Sequence, residues 1–567
     1  MKTLNRTCLG LAAVLLFACC APADAAGLLP SVRSRLQERR FERPPGIPDD
    51  AALEASGAVI GQVRYVRLNV FDPDVPEEDI PLFRLVNRIH VVTRESAVQA
   101  QLLFRPGDRY DASVLRETER RLRSNGYLAD ARIRPVAYAD GKVDVEVLTQ
   151  DTWTLKPELQ FGRKGGKNSS GAGIEEQNLF GTGARLGLSY ASDVDRDTRT
   201  LEYNDHNLNA DHWEIDALAG DNSDGSAQSL KLDRPFYALD SRWAAGVAVR
   251  NETRIDSVYD LGRIVERFHT REREATAYAG WSSGLHDGWV TRWTAGITSD
   301  ERRARDVDDA TPASRLPADR RLVYPWIGVE LAEDDFRETH NLDQIGRIED
   351  LALGWSAKLR LGIATRALGS DRDAMVFDGS ASKGYETIGA HTFLWSATAT
   401  GRIDKGTLDD ALFGIAGRYY WRQTPSRTLF VGLAVDRGVH LDVDRQLTLG
   451  GDNGLRGYPL RYRTGQGRWL LTVEERVFTD WYPFRLFAVG GAVFYDMGAV
   501  WGANLVPSTP PPDTPPRKVL RDIGIGLRLG NTRSALGNVV HVDVAHPLDG
   551  DPSIRRVQLI VEARRSF

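Results

Sequence analysis

The sequence predicts a mainly β protein, a transmembrane antiparallel β-barrel of about 16 strands that follows one small α+β domain. The first observation is a period-two alternation of apolar and polar residues, which recurs from Leu155 to the end of the 567-residue chain. The second is a high content of turn and strand formers, with 53 Gly, 13 Trp, 17 Tyr and 19 Phe. The third is a mean hydropathy of −0.35. This value excludes a helical membrane protein but not a barrel, because a barrel strand shows only every second residue to lipid.

The N-terminal segment has the pattern of a secretory signal peptide, which we assign to residues 1–25. A basic start with Lys2 and Arg6 precedes the apolar run Leu9–Cys20, and an Ala-Asp-Ala cleavage pattern follows at 23–25. The apolar run has 12 residues, whereas a spanning helix needs about 20, so an uncleaved anchor is the weaker interpretation. We expect a mature chain without disulfides or thiol chemistry, because all three cysteines lie in this segment (Cys8, Cys19 and Cys20).

Two regions are expected between the signal peptide and the barrel. Residues 26–58 are predicted to be a linker, because they combine several arginines with the pair Pro44-Pro45. Residues 59–150 are predicted to form the α+β domain. Its expected elements are a strand around Val63–Leu68, a helix after Pro81, a helix capped by Asp111 that ends in a left-handed C-cap at Asn125-Gly126, and two strands (128–136 and 142–148) joined by Asp140-Gly141.

Residues 151–567 are predicted to form the barrel. In one strand, Leu359, Leu361 and Ile363 alternate with Lys358 and Arg360. A run of soluble β-sandwiches is the alternative, and it does not explain inward-facing cations on strands whose other face is uninterrupted and apolar. Charge-rich stretches such as 301–309 are interpreted as loops. At about 25 residues for each strand and its connection, the 413 residues from 155 to 567 suit about 16 strands.

Four stretches of the sequence resemble the BamA/TamA/FhaC superfamily of outer-membrane barrels. The unit 59–150 resembles a single POTRA domain, and Asn178–Gly183 resembles the early-barrel segment of the family. The stretch Gly450–Tyr458 resembles the loop motif that ends Arg-Gly-aromatic, and Phe494–Gly498 resembles the F-x-D-x-G strand. The order and spacing of these motifs match the family. The chain departs from it in having one POTRA-like unit, where BamA, TamA and FhaC-like barrels have several.

The two late motifs carry the candidate functional residues. In the F-x-D-x-G strand the period of two puts Asp496 and Gly498 on one face, which we expect to be the lumen. The guanidinium of Arg456 suits a bidentate carboxylate contact, and the resemblance implies that it docks inside the barrel against Asp496. With Gly457 and Tyr458, these residues form the predicted loop–wall lock; a solvated arginine in a surface loop is the alternative. The supporting loop glycines, which allow sharp folding back, are Gly450, Gly451 and Gly454.

Other chemistry is not indicated by the sequence. The segment Gly280–Gly284 fits the G-x-S-x-G pattern of serine hydrolases, but Trp289–Ile297 after it has a strand pattern where that elbow needs a helix. The ten histidines show no metal-binding spacing. A formal net charge of −5 provides no basic excess for nucleic acid. We therefore expect no enzymatic activity, no cofactor, no metal site and no nucleic-acid partner.

The resemblance implies a barrel in the cell outer membrane, with the POTRA-like domain in the periplasm, that assembles or translocates proteins. Its partners would be outer-membrane lipid and unfolded outer-membrane or secreted protein clients. The POTRA-like domain would capture such clients by β-augmentation. Two alternatives stay open: a dedicated two-partner-type exporter of one secreted protein, and a passive solute pore or structural surface barrel.

Overall fold

The computed structural model describes residues 42–564, with gaps at 77, 210, 308–315, 346–347, 388–389, 503–518, 532, 534–538 and 550–553. The predicted signal peptide (1–25) and residues 26–41 of the predicted linker lie outside the described residues. The remainder of the predicted linker contains one short helix, whose Leu53 packs in the core of the N-terminal domain.

The N-terminal domain is a three-stranded sheet packed against helices. Its helices are α1 Asp50–Ala55, α2 Pro81–Ile89, α3 Glu95–Gln99 and α4 Ala112–Ser124, and its strands are β1 Val59–Leu68, β2 Leu128–Ala139 and β3 Lys142–Asp151. The central strand β3 is parallel to β1 and antiparallel to β2. Val143, Val145 and Val147 are fully buried in one core with Leu115 and Leu122 of α4. None of the four described helices has both the length and the apolar character that crossing a membrane requires.

Helix α4 begins as the sequence predicts and ends differently. The carboxylate of Asp111 accepts hydrogen bonds from the backbone N–H groups of Ser113 (2.8 Å) and Val114 (3.4 Å), which confirms the N-cap. The predicted left-handed C-cap is wrong, because Asn125 is extended, with φ −75° and ψ 122°. Its side-chain amide instead donates to the carbonyls of Arg121 (2.9 Å) and Leu122 (3.2 Å). These bonds satisfy the last carbonyls of the helix without a left-handed residue.

The rest of the chain forms a closed antiparallel barrel, in which the wall strands follow chain order and the last strand meets the first. The 20 wall strands are β4 Leu155–Lys164, β5 Lys167–Glu176, β6 Arg185–Ser192, β7 Asp197–Asp205, β8 Glu214–Asn222, β9 Gly225–Arg234, β10 Trp243–Asp260, β11 Arg263–His286, β12 Trp289–Asp306, β13 Arg320–Glu333, β16 Ser356–Ala364, β17 Ala374–Thr387, β18 His391–Asp404, β19 Thr407–Thr424, β20 Arg427–Val439, β23 Gly467–Phe478, β24 Phe487–Trp501, β25 Val519–Asn531, β26 Val539–Pro547 and β27 Gln558–Arg564. Two short pairs lie outside the wall, β14 Phe336–His340 with β15 Ile348–Ala352, and β21 Leu447–Leu449 with β22 Arg463–Gly465.

The expected count of about 16 strands is wrong, since the described residues form a barrel of 20 strands. An allowance of about 25 residues per strand is too large here, because six connections contain only two residues. Four of these turns have both residues at positive φ, the geometry of a tight hairpin. They are Gly165-Gly166, Leu261-Gly262, Asp287-Gly288 and Lys405-Gly406. Residues 301–306, which were expected in a loop, continue strand β12.

The two faces of the wall differ in polarity, as predicted. On β16, Leu359, Leu361 and Ile363 are exposed on the outer face. Lys358 lies on the inner face, where its Nζ is 3.0 Å from the carboxylate of Glu330. An apolar outer face and a polar inner face are what a wall between lipid and a water-filled lumen requires.

Because β3 leads directly into β4, the N-terminal domain lies at the end of the barrel where β4 begins. We call this end the domain end and the opposite end the far end.

Candidate functional site

The longest connection at the far end, residues 440–466, folds back against the inside of the wall. The short pair β21–β22 forms its stem, and residues 450–458 form its tip. Leu449, Leu455 and Tyr458 of this loop have no exposed surface and pack with Leu520 of β25. The loop therefore packs inside the lumen of the barrel and is not a solvated surface loop.

Arg456 lies in this tip and contacts the wall residue Asp496. Its Nε donates to Oδ2 of Asp496 at 2.7 Å, and its Nη2 donates to Oδ1 at 2.9 Å. Arg456 is 3% exposed and Asp496 is fully buried. The contact is thus a two-pronged, charge-assisted hydrogen bond away from bulk water, which is the strongest form of this pair.

Arg456 also contacts two further carboxylates and an aromatic ring of the wall. Its Nη1 donates to Oε1 of Glu474 on β23 at 2.8 Å and lies 3.4 Å from Oδ2 of Asp543 on β26. Its guanidinium carbon is 3.3 Å from the centre of the Phe494 ring. Asp543 is shared with Arg528 of β25, whose Nη1 donates to it. Three wall strands, β23, β24 and β26, therefore hold one loop arginine, and β25 supplies the second cation that binds Asp543, so that the buried charges alternate in sign.

Gly457 and Tyr458 fix the loop beside Arg456. A Cβ added to Gly457 would lie 2.6 Å from Cβ of Asp522, so a larger residue would push the tip off the wall. The hydroxyl of Tyr458 lies 2.8 Å from the backbone carbonyl of Arg521, and it accepts a hydrogen bond from the backbone N–H of Asp549 at 3.2 Å. Both residues thus join the tip to strand β25 and to the connection that follows β26.

The remaining glycines of the predicted lock permit close approach of backbone or side chains. A Cβ on Gly498 would lie 2.7 Å from the carbonyl oxygen of Trp469 and 3.0 Å from the Leu449 side chain. Gly454 has φ +116°, a conformation that side chains other than glycine rarely adopt. Cβ atoms on the other two would lie within 2.5 Å of loop carbonyls, those of Pro459 for Gly450 and of Tyr458 for Gly451.

The loop tip also touches the turn that ends the first barrel strand. A Cβ added to Gly165, in the two-residue turn between β4 and β5, would lie 2.2 Å from the backbone nitrogen of Leu460. A Cβ on Gly451 would lie 2.9 Å from Cα of Gly165. The position of the loop is therefore tied to strand β4 as well as to β23–β26.

The sequence motifs do not predict a second lumen element, a hairpin that enters from the domain end. The connection between β13 and β16 contains the pair β14–β15, and its tip includes Leu342, Asp343 and Ile345. Leu342 and Ile345 are each 4% exposed, and Ile345 packs with Phe478 and Val539 of the wall. Its only sequence signal is a break in the alternation of strands between 333 and 356, together with an unusual length for a connection at this end.

Arg476 on β23 connects the hairpin to the loop. Its Nη1 donates to the carbonyl of Leu342 at 2.8 Å and lies 3.4 Å from Oδ1 of Asp343. Its Nε donates to Oε2 of Glu474 at 3.1 Å, while Oε1 of the same carboxylate accepts from Arg456. One glutamate therefore bridges the arginine that binds the hairpin and the arginine that binds the loop.

The base of the hairpin is held by arginines of the N-terminal domain. Arg123 of α4 donates to both oxygens of Asp350, at 2.9 and 2.6 Å, and to Glu338 at 2.9 Å. Arg132 of β2 donates to Glu338 at 2.8 Å, and Arg120 donates to Asp334 at 3.1 Å. The domain, the hairpin and the loop are thus connected by consecutive ionic contacts.

The early-barrel motif Asn178–Gly183 lies at the junction of the domain and the barrel. The side-chain amide of Asn178 donates to Oγ1 of Thr93 at 2.8 Å, and its carbonyl accepts from the backbone N–H of Gly183 at 2.7 Å. The carbonyl of Gly181 accepts from the backbone N–H of Arg94 at 2.8 Å. This motif therefore fixes the domain at the entrance of the barrel.

The barrel closes through a weak seam between β27 and β4. In the described part of β27 a single residue pair, Val561 with Arg163, faces across the seam. By comparison, β26 and β27 share seven such pairs, and β4 and β5 share ten. One ion pair, with Lys164 Nζ 2.5 Å from Glu562 Oε2, also bridges the seam. Among the described strand pairs of the wall this one has the fewest paired residues, so it is the one that opens at least cost.

Within the described part of the chain, no three His, Cys, Asp or Glu side chains are grouped so that they could hold a metal ion. The segment 280–284, which fits the hydrolase pattern, lies within strand β11, and β12 begins at Trp289 as predicted.

Comparison with known proteins identifies the N-terminal domain. Residues 85–149 match the POTRA family, described as the surface antigen variable number repeat. No curated protein matches the chain. Solved structures that resemble it include BamA from Haemophilus ducreyi lacking POTRA domains 1–3, with 14% identity, 89% of this chain and 85% of that chain covered, and a TM-score of 0.38. CdiB from Acinetobacter baumannii has 10% identity, 94% and 95% coverage and a TM-score of 0.42. The alcaligin outer membrane receptor FauA from Bordetella pertussis has 11% identity, 76% and 74% coverage and a TM-score of 0.35.

These observations define the class of protein. The chain is an outer-membrane β-barrel with a POTRA domain in the periplasm, so the domain end of the barrel is its periplasmic end. The POTRA match and the closed barrel confirm the resemblance to the BamA/TamA/FhaC superfamily that the sequence motifs indicate. With TM-scores below 0.5, the likenesses to individual solved structures carry no argument about activity.

Proposed function

We propose that this protein assembles or translocates other proteins at the outer membrane, and that its POTRA domain captures them unfolded. The observation that carries the proposal is the combination of a POTRA domain with a barrel whose first and last strands are barely paired. Each of these parts can accept a strand of another chain through backbone hydrogen bonds, which do not depend on sequence. No enzymatic step is part of the proposal.

The POTRA domain offers an edge strand for capture. Strand β1 is at one edge of the sheet and pairs in register with β3 alone among the described strands. Only its first residues are also covered, since Ile60 exchanges backbone hydrogen bonds with Gly107 and Asp108. Unpaired backbone groups along the rest of an edge strand are a template for an incoming extended segment.

The seam offers a second edge, and the loop is in contact with it. An opened seam would expose the free edges of β4 and β27 to the membrane, where a client strand could pair with either. The loop tip lies against the turn of β4 at Gly165. Docking of the loop through Arg456 therefore favours the closed seam, and we infer that release of the loop accompanies opening.

Two lumen elements argue against a passive solute pore. The loop fills the lumen from the far end and the β14–β15 hairpin enters it from the periplasmic end. They meet at Glu474 through Arg456 and Arg476. A channel for solutes would have to displace both elements and break this buried charge network, which is costly because it leaves charges without partners.

Site-specific photo-crosslinking in cells tests the proposal. A photoreactive amino acid at Arg64, exposed on β1, should crosslink to unfolded exported proteins, whereas the same group at Arg105, exposed in a turn of the same domain, should not. Crosslinks to many outer-membrane proteins indicate an assembly factor, and crosslinks to one secreted protein indicate a dedicated exporter. If Arg64 gives no exported partner, the capture role is wrong.

A further inference from the structure

The POTRA domain carries one concentrated apolar surface. Around α2, five large apolar side chains are exposed by 39% to 60%, whereas elsewhere in described residues 42–151 the only large apolar side chain exposed to a similar degree is Tyr138 (37%). The five are Ile80, Leu82, Leu85, Ile89 and Val91. Scattered exposed apolar residues are ordinary, but a contiguous group on one helix marks a surface that another apolar phase covers.

The opposite face of α2 is already used to attach the helix to the barrel. Phe83 is 4% exposed and stacks on Phe71, with ring centres 3.9 Å apart. The same cluster includes Leu486, in the connection between β23 and β24. Helix α2 is therefore fixed beside a periplasmic turn of the barrel, with its second apolar face left outward.

This turn carries exposed aromatic side chains at the periplasmic end of the wall. Its residues Trp481 and Phe484 are 66% and 81% exposed, and it joins strands β23 and β24. Aromatic residues concentrate at the boundary between acyl chains and headgroups. The apolar face of α2 thus continues the membrane-facing surface of the wall across this turn.

The charges of α2 fit the same boundary. The helix contains Arg84 and Arg88, one turn apart, and no acidic residue. Nε of Arg84 lies 3.0 Å from Oδ1 of Asp79, which precedes the helix, and this pair stays exposed to solvent. A short helix with an apolar stripe and flanking arginines suits the membrane interface, where the guanidinium groups reach phosphates and the stripe enters the acyl region. An unfolded polypeptide could bind the apolar stripe, but it would have no specific partner for two adjacent cations.

We propose that α2 is an interfacial helix that lies in the inner leaflet of the outer membrane, with Leu82, Leu85 and Ile89 among the acyl chains and Arg84 and Arg88 at phospholipid phosphates. The helix then fixes the tilt of the POTRA domain relative to the barrel, because its other face packs in the same cluster as Leu486 of the barrel turn. This inference rests on the outer-membrane location and does not depend on the capture of clients.

Depth-dependent fluorescence quenching tests the inference on the full-length mature protein. Because all cysteines lie within the first 20 residues, Leu85→Cys and Tyr138→Cys each give one labelling site. Each labelled protein is placed in nanodiscs of phosphatidylethanolamine and phosphatidylglycerol that contain doxyl-labelled lipid. The label at 85 should be quenched and the label at 138, exposed in the same domain, should not. Heat-modifiable migration of both variants verifies that the barrel is folded.

Two further variants test the chemistry of the contact. Leu82→Ser with Ile89→Ser should reduce the quenching at 85, because the apolar stripe is lost. Arg84→Glu with Arg88→Glu should reduce it most in discs rich in phosphatidylglycerol. Equal quenching at 85 and 138 would overturn the proposal. So would a label at 85 that lipid does not quench and that is shielded only when an unfolded outer-membrane protein is added, since that result assigns the surface to clients.

Discussion

Replacing Arg456 by alanine should release the loop 440–466 from the barrel wall. The side chain makes its hydrogen bonds to Asp496 and Glu474 with almost no exposure to solvent, and Asp543 is 3.4 Å away. Its removal leaves Glu474 paired with Arg476 and Asp543 paired with Arg528, whereas no ion pair among the described residues remains for Asp496. The carboxylates of the wall then repel one another, because the loop arginine that neutralised them is absent.

The expected loss in the free energy of loop docking differs between the variants at Arg456 and at Asp496. Breaking a buried ion pair by removing one partner costs about 3–5 kcal/mol, and Arg456→Ala should fall in this range because three carboxylates lose it. Asp496→Asn leaves Arg456 bound to Glu474 and near Asp543, so we expect about 1–3 kcal/mol, the cost of one impaired buried hydrogen-bonding group. The double variant should cost less than the sum of the single variants, with a coupling of about 0.5–3 kcal/mol.

Proteolysis of the segment 450–460 in intact outer membranes measures the docking of the loop. When the loop opens and closes faster than it is cut, the cleavage rate follows the open population. A loss of about 3 kcal/mol then accelerates cleavage by about a hundredfold, since each 1.4 kcal/mol is a factor of ten. Arg461→Ala is the matched control, because this arginine of the same loop pairs with Asp195 and Asp452 while all three side chains remain about a quarter exposed. Solvent-exposed pairs contribute about 0–1 kcal/mol each.

Two results would refute this reasoning. Arg456→Ala could leave the loop no more susceptible than Arg461→Ala does, in which case the buried network does not hold the loop. Alternatively, Arg456→Ala and Asp496→Asn could be equally costly and strictly additive, which would mean that the two residues act on the loop independently.

Three other expectations concern the periplasmic side. Replacing the hairpin 336–352 by a short Gly-Ser turn should raise single-channel conductance in planar bilayers, because a lumen element is removed, and unchanged conductance would exclude a plug role. Asp343→Asn should loosen the hairpin tip and increase hydrogen exchange there, whereas Asp373→Asn, in the exposed connection before β17, should not. Burial raises the pKa of Glu119 in the POTRA domain from 4.5 to about 7. Its contribution to folding, about 3 kcal/mol, is therefore present below pH 4.5 and lost as the pH rises through 7. Hydrogen exchange of β2 in the full-length protein, corrected for intrinsic rates, should show this loss, and Glu119→Gln should abolish it.

Much of the fold could be predicted because it depends on local patterns. The alternation in β16 separates a lipid face from a lumen face, and the Asp111 cap and Asp140-Gly141 turn are set by neighbouring residues. The strand count failed because it used an average spacing instead of the turns themselves. Dipeptides such as Asp287-Gly288 and Lys405-Gly406 mark two-residue hairpins that shorten the spacing.

Only part of the candidate site could be predicted from the sequence. Arg456 and Asp496 stand in recognisable motifs, so resemblance could select them. Glu474, Asp543 and Arg476 stand in ordinary alternating strands, where a charge that faces the lumen gives no sign of its partner. The hairpin tip at Asp343 depends on contacts with strands more than 70 residues later, and local sequence does not encode such pairings.

Closing the seam with a disulfide tests the central claim, that the barrel handles proteins by opening between its first and last strands. Arg163→Cys with Val561→Cys joins the two residues that face each other across the seam, and Ala248→Cys with Thr276→Cys joins a fully paired position of β10 and β11 as the control. The outer-membrane and secreted proteins of cells carrying each variant are compared by quantitative mass spectrometry, with and without reductant. The account predicts that the seam disulfide depletes exported proteins, that reductant restores them, and that the control pair has no effect. Normal levels of exported proteins with the seam fully oxidised would contradict it.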